Sequence, residues 1–208
     1  MTVDVQQDHF WSVIRAFSIE GKSRLLYEGK IETWEALRML RERMNVLNRC
    51  VFVDRGYRPE TVALECAKGA TSDDPNPWNC LLGEESNGYA TKVGKRRVIK
   101  PFSNIQHGRT TAGMRWKYVK FSNLLAKDTL SALMRGDGQE WQIPVDHSKE
   151  YKKQMQSERK VEVAPGKWRY KLAKEWAKDN HLWDCEAMMV IAASIYKVLN
   201  AEAPAEAE

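Results

Sequence analysis

Three carboxylates in this sequence stand where an apolar element begins or ends. Asp4 interrupts the valines of "TVDV", Asp54 follows the apolar run "CVFV", and Asp184 lies within "NHLWDCEAMMVIAA". Carboxylates brought to one place repel one another, and each raises the pKa of the next unless cations sit among them. Hard oxygen donors of this kind suit Mg²⁺ or Mn²⁺. Each residue also has a plainer role open to it. Asp4 fits an exposed strand position, Asp54 before Arg55-Gly56 fits a turn, and Asp184 fits a helix N-cap.

The elements must decide whether the three can meet. Residues 2–6, 9–19 and 23–31 read as strands separated by polar turns, which makes an antiparallel meander. Thr33 caps a helix whose apolar face repeats through Trp34, Leu37, Leu40 and Met44. Residues 50–53 read as a buried parallel strand with Asp54 at its exit. Pro59 opens the next helix, 59–68. Residues 70–88 read as a loop, and 89–93 as a fifth strand. Residues 94–115 lack periodicity and 116–121 alternate like a strand. Helices are predicted over 124–135, 149–158 and 184–199, a short extended piece over 140–143 and a hairpin over 160–173. In such an order the first and fourth strands become neighbours, so Asp4 and Asp54 can lie side by side, and the final helix can bring Asp184 to them.

Composition narrows the class. The 208 residues are 43% hydrophobic and 29% charged, a globular mixture. No apolar run reaches the roughly 18–20 residues of a membrane span, and no signal-peptide pattern precedes the first strand. Cys50, Cys66, Cys80 and Cys185 lack C-x-x-C spacing and read as reduced thiols. His181 and Cys185 flank Asp184, but no second His/Cys cluster completes a soft metal site. There is no phosphate loop, dinucleotide fingerprint or G-x-S-x-G elbow. Met188 and Met189 read as core, and Trp168 and Tyr170 as hairpin packing or base-stacking platforms. Net charge is +5, but Thr91–Lys127 holds ten Lys or Arg and no acidic residue. A basic island of this kind favours a polyanion, nucleic acid first.

These residues carry a resemblance. The order β-β-β-α-β-α with Asp4, Asp54 and Asp184 resembles the ribonuclease H-like nucleases, and more narrowly the nuclease domain of the large terminase subunit of tailed phages, GpA-like branch. "TVDVQQDHFWSVIRAF" is similar to that branch's first strand and hairpin, and "VFVDRGYRPETVALEC" to its second acidic strand and following helix. "NLLAKDTLSALM" is similar to its lysine segment, "WQIPVDHSKEYKKQMQSERKV" to the segment before its last acidic motif, and "NHLWDCEAMMVIAA" to that motif. The likeness spans about residues 2–197. Asn123 departs from it, standing where many relatives are acidic, and 70–115 matches poorly.

The resemblance implies an α/β fold: a mixed sheet of meander plus parallel strands, flanked by helices, with a β-rich basic insertion before the last helix. It implies one nuclease domain over 1–199, a disordered acidic tail over 200–208 and no ATPase domain in this chain. Asp4, Asp54 and Asp184 would hold two Mg²⁺ or Mn²⁺ ions about 3.5–4 Å apart, with Asp4 bridging. Lys92, Lys95, Arg96, Arg97 and Lys127 would contact DNA. The expected activity is endonucleolytic cleavage of double-stranded DNA in viral genome packaging, in the cytoplasm of a phage-infected host cell. The expected partners are a motor domain, a portal and a small terminase subunit. A junction resolvase and a DNA-binding module without chemistry remain alternatives.

Overall fold

A computed structural model describes residues 1–93, 96–173 and 179–199. The predicted meander forms as β1 (Thr2–Val5), β2 (Phe10–Phe17) and β3 (Ser23–Ile31). Helix α1 (Trp34–Arg43) starts where predicted: the Thr33 side chain accepts from the Ala36 amide and satisfies one of the orphan donors of the first turn. A 3₁₀ turn leads into β4 (Phe52–Asp54), and Pro59 opens α2 (Pro59–Ala67). Then follow β5 (Asn79–Glu84), β6 (Tyr89–Val93), β7 (Arg96–Lys100), β8 (Gln106–Arg109) and β9 (Arg115–Ser122). The chain continues as α3 (Asn123–Met134), β10 (Trp141–Gln142), α4 (Lys149–Gln154), β11 (Glu158–Ala164), β12 (Lys167–Leu172) and α5 (His181–Ile195).

The protein is α/β, with an eight-stranded mixed sheet in the order β10-β3-β2-β1-β4-β5-β9-β8. β1 pairs antiparallel with β2 and parallel with β4, which pairs parallel with β5, and β5 pairs parallel with β9. β6–β7 and β11–β12 are two separate antiparallel hairpins.

Alternation along the strands sorts the core into two layers. Val3, Val5, Val53 and Cys80 pack with α1 and α2 on one face. Phe52, Leu81 and Val119 pack with α3, α4 and α5 on the other. Asp4 alternates with Val3 and Val5, and Asp54 with Val53, so both carboxylates point to the α5 face. Helix α5 is buried almost all round, from Leu182 to Ser194, as an apolar helix enclosed by a sheet and two other helices should be.

Three expectations change. The fifth strand of the large sheet is Asn79–Glu84, not 89–93, and lies within the stretch predicted as loop. Its apolar core is only Cys80-Leu81-Leu82, behind Pro75 and Pro77, so turn chemistry dominates the local signal. Residues 89–93 pair with β7 instead, inside the stretch that lacked periodicity. The last helix begins at His181 after Asn180, so Asp184 is not its N-cap but lies one turn inside. The 200–208 tail and Lys95 lie outside the described residues.

Candidate active site

Register brings the first two carboxylates together. Val3 is the partner of Val53 across β1 and β4, and one residue further on stand Asp4 and Asp54. Asp54 in turn is level with Leu81 on β5. The site therefore lies at the carboxyl edge of three parallel strands, the usual ligand edge of an open α/β sheet.

Helix α5 delivers the third carboxylate, and a buried ion pair fixes its rotation. Arg15 on β2 meets Glu186 with Nε–Oε2 at 2.7 Å and Nη2–Oε1 at 2.8 Å, both side chains fully buried. Tyr151 Oη donates to Glu186 Oε1, and Arg15 stacks 4.1 Å from the Trp141 ring. Residues two apart on a helix point roughly 200° apart. Glu186 held against β2 therefore turns Asp184 the other way, toward the edge where Asp4 and Asp54 lie.

The charges of these acids act on one another. The Asp54 carboxyl is pushed up to about 7 by burial first, then by the charge of Asp4, with Asp184 adding to it. The Asp184 carboxyl is pushed up to about 6 by burial, which the Lys127 ammonium opposes and the charges of Asp4 and Glu158 reinforce. Among the described residues no ion pair reaches Asp54.

The other two acids have partners. Asp4 Oδ2 accepts from Gln6 Nε2 and faces His181 Nδ1, each at 2.8 Å. Burial opposes protonation of His181, but the hydrogen bond to Asp4 and the charges of Asp4, Asp179 and Asp184 outweigh it, and its pKa is raised. Trp11, the cross-strand partner of Asp4, stacks on the His181 ring. Lys127 Nζ lies 2.7 Å from both Asp184 Oδ1 and Glu158 Oε2. Lys127, expected to contact DNA, is buried on α3 inside the acidic cluster.

Comparison of the chain with protein-family models, curated proteins and solved structures returns no match.

Glu158 is the acid that sequence reasoning missed. It opens β11, is 6% exposed at its side chain, and its Oε1 accepts from Asn180 Nδ2 at 2.6 Å. Nothing in "QSERKV" marks it, because its partners come from α3 and the start of α5. His181, set aside as a soft ligand, orients Asp4 instead. Asn123 lies at the first position of α3 and packs so closely on Gly83 that a Cβ there would meet its Oδ1 at 2.6 Å. Its neutral amide adds no charge to the site.

The acids suit a hard divalent cation by charge, by oxygen chemistry and by their mutual repulsion. Among the described residues no three His, Cys, Asp or Glu form a ready-made cage. One oxygen of Asp184 faces Lys127, and one of Asp4 faces Gln6 and His181. Asp4 Oδ1 and Asp184 Oδ2 have no hydrogen-bond partner among the described residues.

The basic island divides into separate surfaces. Lys92 and Arg97 are direct cross-strand partners on β6–β7, and Lys92, Arg96 and Arg97 are exposed. Like charges set opposite one another destabilise a hairpin unless an anion lies between them. This hairpin follows the end of β5, tied there by Tyr89 Oη donating to Glu84 at 2.8 Å. It thus rises from the same carboxyl edge as Asp4 and Asp54. Arg109 and Arg115 are likewise opposite on β8–β9, but near the amino end of β9, away from that edge.

Proposed function

We propose that this chain is a metal-dependent endonuclease that cuts double-stranded DNA, with a ribonuclease H-like layout, acting as the nuclease part of a viral packaging terminase. The observation that carries the proposal is the placement of Asp4 and Asp54 on adjacent parallel strands with Asp184 turned toward them from α5. Further support comes from the strand order β3-β2-β1-β4-β5 with β2 antiparallel, and from the exposed cations of β6–β7 at the same edge.

Asp4, Asp54 and Asp184 would hold Mg²⁺ or Mn²⁺. When bound, the ion supplies Lewis-acid stabilisation of the phosphodiester and a more acidic water. Gln6 and His181 fix Asp4 Oδ2, so the other oxygen is presented in one orientation. Glu186 and Arg15 hold α5 at the rotation that presents Asp184. Lys92, Arg96 and Arg97 would grip phosphates without reading bases. The motor domain, portal and small terminase subunit are proposed partners on resemblance alone.

The deciding experiment is incubation of supercoiled plasmid with Mg²⁺ or Mn²⁺, with and without chelator, beside a four-way junction. Nicking or linearisation that chelator abolishes, without junction preference, is the expected result. Undiminished cutting in chelator would overturn the metal mechanism. Strong junction preference would favour a resolvase, and DNA binding without cleavage a module that lacks chemistry.

A further inference from the structure

We propose that Lys127 is a built-in cation that stands in for one metal ion, so that this protein without DNA binds one divalent ion and not two. The inference rests on the metal-dependent reading above and sharpens it. Lys127 is a buried lysine whose ammonium bridges two acids at equal distance, 2.7 Å from Asp184 Oδ1 and 2.7 Å from Glu158 Oε2. The side chains of Lys127 and Glu158 are 9% and 6% exposed. The second oxygen of Glu158 is engaged by Asn180 at 2.6 Å, so Glu158 has both oxygens occupied by donors.

The oxygens of the cluster therefore divide into two groups. Glu158 Oε2 and Asp184 Oδ1 already face the ammonium, and Glu158 Oε1 the Asn180 amide. Among the described residues Asp4 Oδ1 and Asp184 Oδ2 have no hydrogen-bond partner, and no ion pair reaches Asp54. A divalent ion between Glu158 and Asp184 would have to occupy the place of the ammonium, because two cations at that distance repel strongly in a buried setting. An ion held by Asp4 Oδ1, Asp54 and Asp184 Oδ2 would not have to displace the ammonium, which faces the other oxygen of Asp184. Lying between two carboxylates, one on each side at 2.7 Å, the Lys127 ammonium is the charge form this geometry favours.

The test counts ions. The full chain is titrated with Mn²⁺ alone, with bound and free ion separated by electron paramagnetic resonance, for wild type, Lys127→Met and Glu158→Gln. Wild type should bind one equivalent and Lys127→Met two, the second lost again when Glu158→Gln is added. A lysine that only stabilises the fold would leave the count at one in a folded Lys127→Met protein, and that result would overturn the proposal. Two equivalents in wild type would also overturn it while leaving the metal-dependent reading intact. No binding in wild type would remove that reading and this inference with it. Should Lys127→Met fail to fold, Lys127→Gln, which keeps a neutral polar group between the two acids, takes its place: a count of two supports the proposal and a count of one overturns it.

Discussion

Asp4 and Asp54 stand side by side one residue beyond the Val3–Val53 pair, on two parallel strands that share the buried centre of the sheet. Two carboxylates so placed are unfavourable in the metal-free chain: burial first, and the charge of Asp4 next, raise the pKa of Asp54. The arrangement fits a chain that gains by holding a cation there.

Asp4→Asn, Asp54→Asn and Asp184→Asn should each lower plasmid cleavage by at least about a hundredfold, the scale of losing a group that acts on the reacting centre. Circular dichroism should stay native. Asp54→Asn should also raise the melting temperature of the metal-free protein, since it removes a buried charge beside Asp4. Unfolding of all three variants would show that these residues are structural.

The metal-free protein should lose stability as pH rises from about 4 to about 7. Asp54 and Asp184 titrate near 7 and 6 in the fold, against about 4 for an ordinary aspartate. The folded chain therefore holds protons that the unfolded chain has released. The stability this gives is complete below the ordinary carboxylate pKa and is gone once pH passes the folded values. Asp54 is half-buried and the Asp184 side chain 34% exposed, so solvent screening holds the loss to the order of 2 kcal/mol, and thermal melts across pH would measure it. Asp54→Asn should flatten the profile, and Mg²⁺ at the high end should restore stability. A profile that rises with pH would contradict the stated repulsion.

Glu186→Ala should destabilise the protein by about 3–5 kcal/mol, because it leaves Arg15 charged and unpaired in the core. Urea unfolding gives the figure. Glu186→Gln should be milder on stability, yet still reduce cleavage, because Asp184 depends on the rotation that Glu186 sets. Full activity with Glu186→Gln would separate the pair from the site.

Replacing Lys92, Arg96 and Arg97 together by Ala should weaken binding to unrelated DNA sequences by similar factors. The slope of log affinity against log salt should flatten by up to about three if each contacts a phosphate. Filter binding over a salt series would show it. Loss confined to one sequence would indicate base readout, and no loss would place the DNA elsewhere.

Much of this protein is written locally. Thr33 and Pro59 announce their helices because capping and a fixed φ act within a turn. Asp4 and Asp54 are visible because a carboxylate in or ending an apolar strand is rare and strands pair by simple rules. β5 was hidden because a three-residue apolar stretch between prolines and a glycine has too little pattern, and only burial between β4 and β9 makes it a strand. The ring of partners was not legible at all. Lys127 and Glu158 are 31 residues apart, and His181 and Asp4 are 177 apart. No spacing rule links them. Where the chain of β11 returns to α3, and how the Arg15–Glu186 pair rotates α5, is settled by packing over the whole core. That packing, not the sequence near Lys127, turns a lysine of a basic stretch into the buried counter-charge of an acidic site.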